Sequence, residues 1–322
     1  MSTAPNTLPW LRPRAAVAGD VVAVISPSGP VRPQDIEPGL ELLRSWGLKP
    51  EVHPDAFARD TTGYLAGDDR TRLDALKWAI GHPEARVIAC TRGGYGAMRL
   101  LEALEPQVDA IRRDPKLLVG FSDVTALHAF WSARAHTHSV HGPVLKSARM
   151  LGEDHTHGSL QIWRDTLFGQ GPTRLDHLTV VQPGADAQGR LLPANLSLLS
   201  SLVGSPYCPD LSEWIVCLED VTEPDYRLDR LMLTLELAGV RPAGIVLGDF
   251  TGCAGVYIEQ AHVLEHMGLL CSRLGCPVLA GAAFGHGPRN VCLPVGSQAT
   301  LSSAQRRLDF ERPTSVHQEP TP

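Results

Sequence analysis

No apolar run in this sequence is long enough to cross a bilayer, which takes roughly 18 to 20 uninterrupted apolar residues. The opening stretch, MSTAPNTLPWLRPRAAVAGD, also lacks the continuous apolar core of a secretory signal, being broken by Pro5, Pro9 and Pro13. These absences set the expectation of a soluble, cytoplasmic chain with no membrane partner. No run of Lys or Arg resembles a basic arm, and the formal net charge is -6. Neutralising phosphates needs a basic face, so a nucleic-acid partner is excluded and a peptide or small-molecule substrate is expected. The seven cysteines include no C-x-x-C pair, and Cys271 and Cys276 lack zinc-ligand spacing. Cys90 and Cys217 lie inside apolar runs, where a thiol packs as a small hydrophobe, and all seven are expected to be reduced.

What is present suits a globular enzyme. The 322 residues, 43% of them hydrophobic, suffice for two domains with real cores. In the first half, short apolar runs (DVVAVIS, ARVIACT, KLLVGF) alternate with helical patterns (DIEPGLELLRSWG, GAMRLLEAL, VTALHAFWSAR). That alternation predicts an α/β fold with a mostly parallel sheet covered by helices on both faces. Residues 151–185 are polar and turn-rich and read as a linker. Beyond them, EWIVCLED, GIVLGDF, CPVLAGAAF and ATLSS read as strands, with the helical pattern YRLDRLMLTLELAG between the first two. The expected organisation is an N-terminal domain over 1–150, a smaller β-rich domain with more antiparallel character over 186–310, and a frayed tail over 311–322.

Four stretches carry chemistry. In KLLVGF-S-DVTALHAF, Ser122 stands between a buried strand and a helix, where a sharp turn would expose its hydroxyl. The amide of Asp123 would face a developing oxyanion there, although either residue is equally a good helix N-cap. TRGGYGAMR places three glycines between a strand and a helix, so that backbone amides can approach an anion. Its G-G-x-G order is not a dinucleotide fingerprint, and a plain tight turn stays open. VCLEDVTEP ends a strand with Glu219 and Asp220, either orienters of a histidine or solvated acids. AAFGHGPRN holds His286 between two glycines, as a general base or a surface-loop histidine. The histidines at 128, 136, 138 and 141 raise a zinc reading, with His136 and His138 on one face of a strand and help from His155 and His157. No H-E-x-x-H helix or nearby carboxylate supports it.

In their order along the chain, these motifs closely resemble the LD-carboxypeptidase family of serine peptidases, which includes the microcin C self-immunity peptidases. The resemblance runs from about Gly19 to Leu301 through GDVVAVISPSGPV, RGGYG, GFSDVTALH, HGPV, NLSLL, LEDVTEPDYRLDR, GDF and GHGPRNVCLPVG. It implies a Rossmann-like N-terminal domain, a smaller β-rich C-terminal domain, an active site between them, a homodimer and no metal or other cofactor. It also implies Ser122 as nucleophile, His286 as base and Glu219 as its orienter, with an oxyanion hole from the amides of Asp123 and Gly94. His141 falls in what the family uses as a structural HGP turn, which weakens the zinc reading further. The implied substrate is a murein tetrapeptide, cut before its terminal D-alanine, with aminoacyl-nucleotide antibiotics as the alternative within the fold. A silent peptide- or nucleotide-binding protein built on the RGGYG loop is the alternative from another class. A carboxypeptidase must hold a free carboxylate. Arg92, Asn195 and Arg289 are the candidate substrate-binding residues, and Arg227 and Arg230 are equally placed for structural ion pairs. One departure stands out: Pro193-Ala194 replaces two glycines common in the family before NLSLL, restricting what is expected to be a loop.

Overall fold

The structure, a computed structural model, describes residues 8–148 and 158–315. The N-terminal half builds β1 (Val21–Ile25), β2 (Lys49–Val52), β3 (Ala85–Cys90), β4 (Leu117–Gly120) and β5 (Ser139–His141). The C-terminal half adds β6 (Arg174–Leu175), β7 (Thr179–Gln182), β8 (Ala187–Asn195), β9 (Trp214–Val221), β10 (Gly244–Thr251), β11 (Val278–Ala280), β12 (Leu293–Val295), β13 (Gln298–Ser302) and β14 (Arg307–Phe310). Together they form two sheets, ordered β12-β5-β4-β3-β1-β2 and β6-β14-β13-β8-β9-β10-β11-β7.

The first sheet is parallel from β2 to β5 and has the doubly wound order 2-1-3-4-5. Strands β1 and β4 are buried along their whole length, which is why they read as continuous apolar runs. Strand β2, KPEV, has no such signal because it lies at the edge, half exposed and carrying Pro50, which an edge tolerates. The helix Pro33–Ser45 starts on Pro33, with Asp35 and Arg32 closing its first turn, and buries Ile36, Leu40 and Leu43 at helical spacing. The helix Asp69–Gly81 is capped by Asp68, whose carboxylate accepts from the Thr71 amide at 2.7 Å.

In the second sheet the antiparallel character lies at the margins. Strands β8, β9, β10 and β11 are mutually parallel, and β13, β14, β6 and β7 are added at the two sides through antiparallel pairings. Both faces are covered. Leu192, Val216, Leu218 and Ile245 pack under the helices Asp225–Leu237 and Val263–Ser272, while Leu191, Ile215, Cys217 and Val246 fill the opposite side. Burial on both faces is why β9 and β10 read as continuous apolar runs without the period-2 alternation of a half-exposed antiparallel strand.

Three further expectations differ from what the chain forms. The described part of the 151–185 stretch is not bare linker: it carries the helix Ser159–Leu167, which buries Trp163, and both β6 and β7. Pro193 and Ala194 lie inside β8, paired with Cys217 and Leu218, and not in a loop. Pro193 stands beyond Arg190, the last residue of β8 that β13 pairs, so its missing N–H costs that ladder nothing. The third difference joins the halves. Strand β12 follows the His286 loop in sequence but pairs antiparallel with β5 of the first sheet, Leu293 opposite His141 and Val295 opposite Ser139.

Candidate active site

The site forms where a doubly wound sheet opens a crevice, outside the carboxyl ends of its strands. Strand β4 ends at Gly120, Phe121 is still extended, and Ser122, in the left-handed region at φ 64°, opens a short 3-10 turn that leads into the helix Thr125–Phe130. A serine there is strained, and the strain lifts its hydroxyl off the sheet edge. The turn needs absent side chains around it. A methyl built on Gly93 would lie 2.7 Å from Ser122 Cβ and 2.9 Å from its Oγ, so this loop glycine packs directly on the serine. The buried carboxylate of Asp123 accepts the Ala97 amide at 2.8 Å, tying the elbow to the end of the RGGYG loop.

His286 arrives from the other sheet. Its Nδ1 donates to Glu219 Oε2 at 2.6 Å, and its Nε2 stands 3.1 Å from Ser122 Oγ. With Nδ1 holding the proton, Nε2 keeps its lone pair and accepts from the serine hydroxyl. Burial pushes the His286 pKa down, but the hydrogen bond and charge of Glu219, with Asp220 and Asp249 behind it, outweigh that and leave it above the ordinary value. Glu219 is fully buried at the end of β9. The glycines beside His286 have a use that the sequence did not display. A methyl on Gly285 would meet Glu219 Oε2 at 2.8 Å, while one on Gly287 would fall onto the Asp249 carboxylate. They let two carboxylates close on the loop. The ring of Phe121 backs the imidazole, with centroids 4.8 Å apart.

The remaining candidates divide. Asn195 is buried at the end of β8, and its amide donates to Glu219 Oε1 at 3.2 Å and Asp220 Oδ1 at 2.9 Å. Its backbone N–H donates to Thr125 Oγ1 at 3.0 Å, binding the helix after the elbow to the strand beside Glu219. That position braces the acid instead of facing a substrate. Asp220 accepts from both the amide and the hydroxyl of Ser197, so it is occupied elsewhere. Gly94 is exposed at φ 116°, and its amide follows the glycine that touches Ser122. Arg289 is exposed, three residues past His286. Arg227 pairs with Glu223 at 3.0 Å and Arg230 lies over the Tyr226 ring, so both serve their own helix.

The zinc reading dissolves among the described residues, where no group of three or more His, Cys, Asp or Glu side chains could hold a metal. His128 is buried between Gly120 O and Ser139 Oγ, each at 2.8 Å, and burial lowers its pKa to about 4. His136 sits in the left-handed region and stacks on Trp10, and His138 meets the same ring edge-on and reaches Ser297 Oγ at 3.0 Å; neither residue lies in a strand, which begins only at Ser139. His155 and His157 lie outside the described residues. All seven cysteines are free. Asp249, in the GDF motif, had no assigned role in the sequence; burial raises its carboxyl to about 6 against the pull of Arg289.

A serine on a strained elbow, an imidazole and a buried carboxylate in hydrogen-bond sequence can perform acyl transfer to water. Comparison with known proteins agrees with this class. Residues 22–142 match the LD-carboxypeptidase N-terminal domain and residues 188–301 the LD-carboxypeptidase C-terminal domain. The chain belongs to the LD-carboxypeptidase family and is an enzyme, a serine-type carboxypeptidase. A putative carboxypeptidase of Synechocystis is 38% identical over 96% of this chain and 100% of its own length. The murein tetrapeptide carboxypeptidase of Pseudomonas aeruginosa is 32% identical, covering 89% of this chain and 94% of its own. MccF, solved with glutamyl sulfamoyl guanosine, shares the two-domain fold at a TM-score of 0.81 and 20% identity, over 95% of this chain and 100% of that one. Among the described residues no helix is long and apolar enough to cross a membrane.

The packing of Gly93 on Ser122 makes Gly93→Ala a test of the elbow. The added methyl must displace the serine by a fraction of an ångström or more. Such misplacement of a reacting group costs about 10²-fold. We expect kcat/KM to fall by about that factor with little change in melting temperature, as read by steady-state kinetics beside thermal denaturation.

Proposed function

We propose that this enzyme releases the terminal D-alanine of murein tetrapeptides through an acyl-enzyme on Ser122. The observation that carries the reading is the continuous line from Glu219 Oε2 through His286 to Ser122 Oγ, at 2.6 Å and 3.1 Å. His286 takes the hydroxyl proton as Ser122 attacks the scissile carbonyl, and Glu219 holds the imidazole in the working tautomer and favours its charged form. The amides of Asp123 and Gly94 stabilise the tetrahedral oxyanion. His286 Nε2 then protonates the leaving amine, the D-alanine nitrogen, and water cleaves the ester with His286 again as base. Arg289, exposed on the same loop as the proton donor, suits the terminal carboxylate. Asn195 acts as a positioning residue for Glu219. The reading includes a cytoplasmic homodimer, which rests on the family resemblance.

The test is direct. Murein tetrapeptide incubated with the protein should yield tripeptide and free D-alanine at a rate unchanged by a metal chelator and abolished by a serine-directed fluorophosphonate. An aminoacyl sulfamoyl nucleotide run in parallel separates the alternative substrate class. Cleavage of that compound without D-alanine release would overturn the murein reading and leave the serine chemistry standing.

A further inference from the structure

Beside the elbow, the outer side of the RGGYG loop borders an open depression of about 630 Å³ lined by Pro30, Arg59, Tyr64, Arg92, Gly94 and Tyr95. Three separate segments of the N-terminal half build it, and none of the C-terminal half takes part. Tyr64 and Tyr95 are 53% and 50% exposed, yet their rings are packed edge to face with centroids 5.8 Å apart. Two aromatic faces held at a fixed angle in a concavity offer contact area at little entropic cost. The cations there differ from their neighbours. Arg32 pairs with Asp35, and Arg72 and Arg99 share Asp69. Arg92 is half-buried and donates to the Pro30 carbonyl at 3.2 Å, Arg59 is exposed, and among the described residues neither has an acidic partner. A guanidinium held against a pocket wall without a carboxylate is available to an anion from outside.

The chemistry of the cleft gives the depression its direction. The leaving amine must receive its proton from His286 Nε2, so the leaving nitrogen lies toward the His286 loop. The acyl portion takes the remaining direction at the reacting carbon, away from Ser122, the leaving amine and the oxyanion amides, and the depression that Gly94 borders is an open concavity beside these groups. We propose that this is the acyl-side subsite of the enzyme. It takes a peptide arm upstream of the scissile bond, with a free carboxylate held by Arg59 and Arg92 and the unit next to it resting on Tyr64 and Tyr95. The proposal rests on the peptidase reading and adds to it which side of the substrate is read by charge, and by which residues.

The test uses Arg59→Gln and Tyr64→Ala in the full chain, with three substrates that share one scissile bond. One carries the free upstream carboxylate, one has it amidated, and one is truncated before it. The parent should favour the free acid over the amide by about tenfold in kcat/KM, the usual worth of a charge-assisted hydrogen bond. Arg59→Gln should reduce that preference several-fold, with Arg92 keeping the remainder, and Tyr64→Ala should lower the extended-to-truncated ratio several-fold. Calorimetry with the carboxylate-bearing tripeptide product gives a readout that needs no turnover, and its Kd should weaken several-fold in Arg59→Gln. Equal cleavage of acid and amide by the parent overturns the proposal, as does an equal loss on all three substrates in Arg59→Gln. If the parent cleaves no peptide, the peptidase reading fails by itself, and calorimetry still decides the subsite. Carboxylate-dependent tripeptide binding that is weakened in Arg59→Gln upholds it, and its absence overturns it.

Discussion

Ser122→Ala is expected to lower kcat by about 10⁴- to 10⁶-fold, the range seen when a triad nucleophile is removed and only oxyanion and binding effects remain. The hydroxyl is the only polar atom this change deletes, and its described partner is His286 Nε2 at 3.1 Å. Alanine keeps the Cβ that Gly93 already accommodates and adopts the same left-handed backbone no less readily than serine, so the fold should be retained. The variant should therefore bind tetrapeptide with a Kd near the parent's KM while accumulating no acyl-enzyme. Single-turnover kinetics with intact-mass detection of the ester checks this. Residual activity within tenfold of the parent would place the nucleophile elsewhere.

The second large effect is expected from Glu219→Gln. Glu219 is fully buried and has both oxygens engaged, Oε2 by His286 and Oε1 by Asn195. A glutamine would bring an N–H₂ donor into this pair. Turned toward His286, it would leave Nδ1 as acceptor and put the ring proton on Nε2, where no lone pair remains for Ser122. The wrong tautomer costs about 10⁴-fold in kcat when the equivalent acid of a serine protease is amidated. The pH profile should move as well. A base must be neutral to act, so kcat/KM of the parent should fall on the acid side with a midpoint above 6.5, because the His286 pKa is raised. In Glu219→Gln the largest raising influences are gone and burial still disfavours the charged ring, so the acid limb should shift downward. Asp220→Asn is the control. Its neighbours are Ser197 and Asn195, not His286, so its acid limb should move far less. An unshifted limb in Glu219→Gln would remove Glu219 from its role.

Much of the frame was legible from local pattern. Strands β1, β3, β4, β9 and β10 each appeared as apolar runs, and GFSD, LED and GHG marked the three residues that meet. The edge strand β2 and the first half of β8, AQGR, were not legible, because polar and proline-bearing segments become strands only when a neighbouring strand pairs with them. The parallel centre of the second sheet did leave a trace, since β9 and β10 read as continuous apolar runs like β1 and β4, but such runs do not say which strand lies beside which.

The chemical inventory was thus determined by sequence alone: a serine at a strand-to-helix junction, an acid ending a strand, and a histidine between glycines. Only the tertiary structure decided that they touch. The His286 loop leaves β11 in one sheet and enters β12 in the other, so its two ends are anchored in both sheets. Gly285 and Gly287 leave room for the carboxylates of Glu219 and Asp249. Asn195 couples the acid to the nucleophile's helix through Thr125. Contacts between residues 67 and 164 positions apart in the chain depend on how two sheets interlock, and no local propensity encodes that distance.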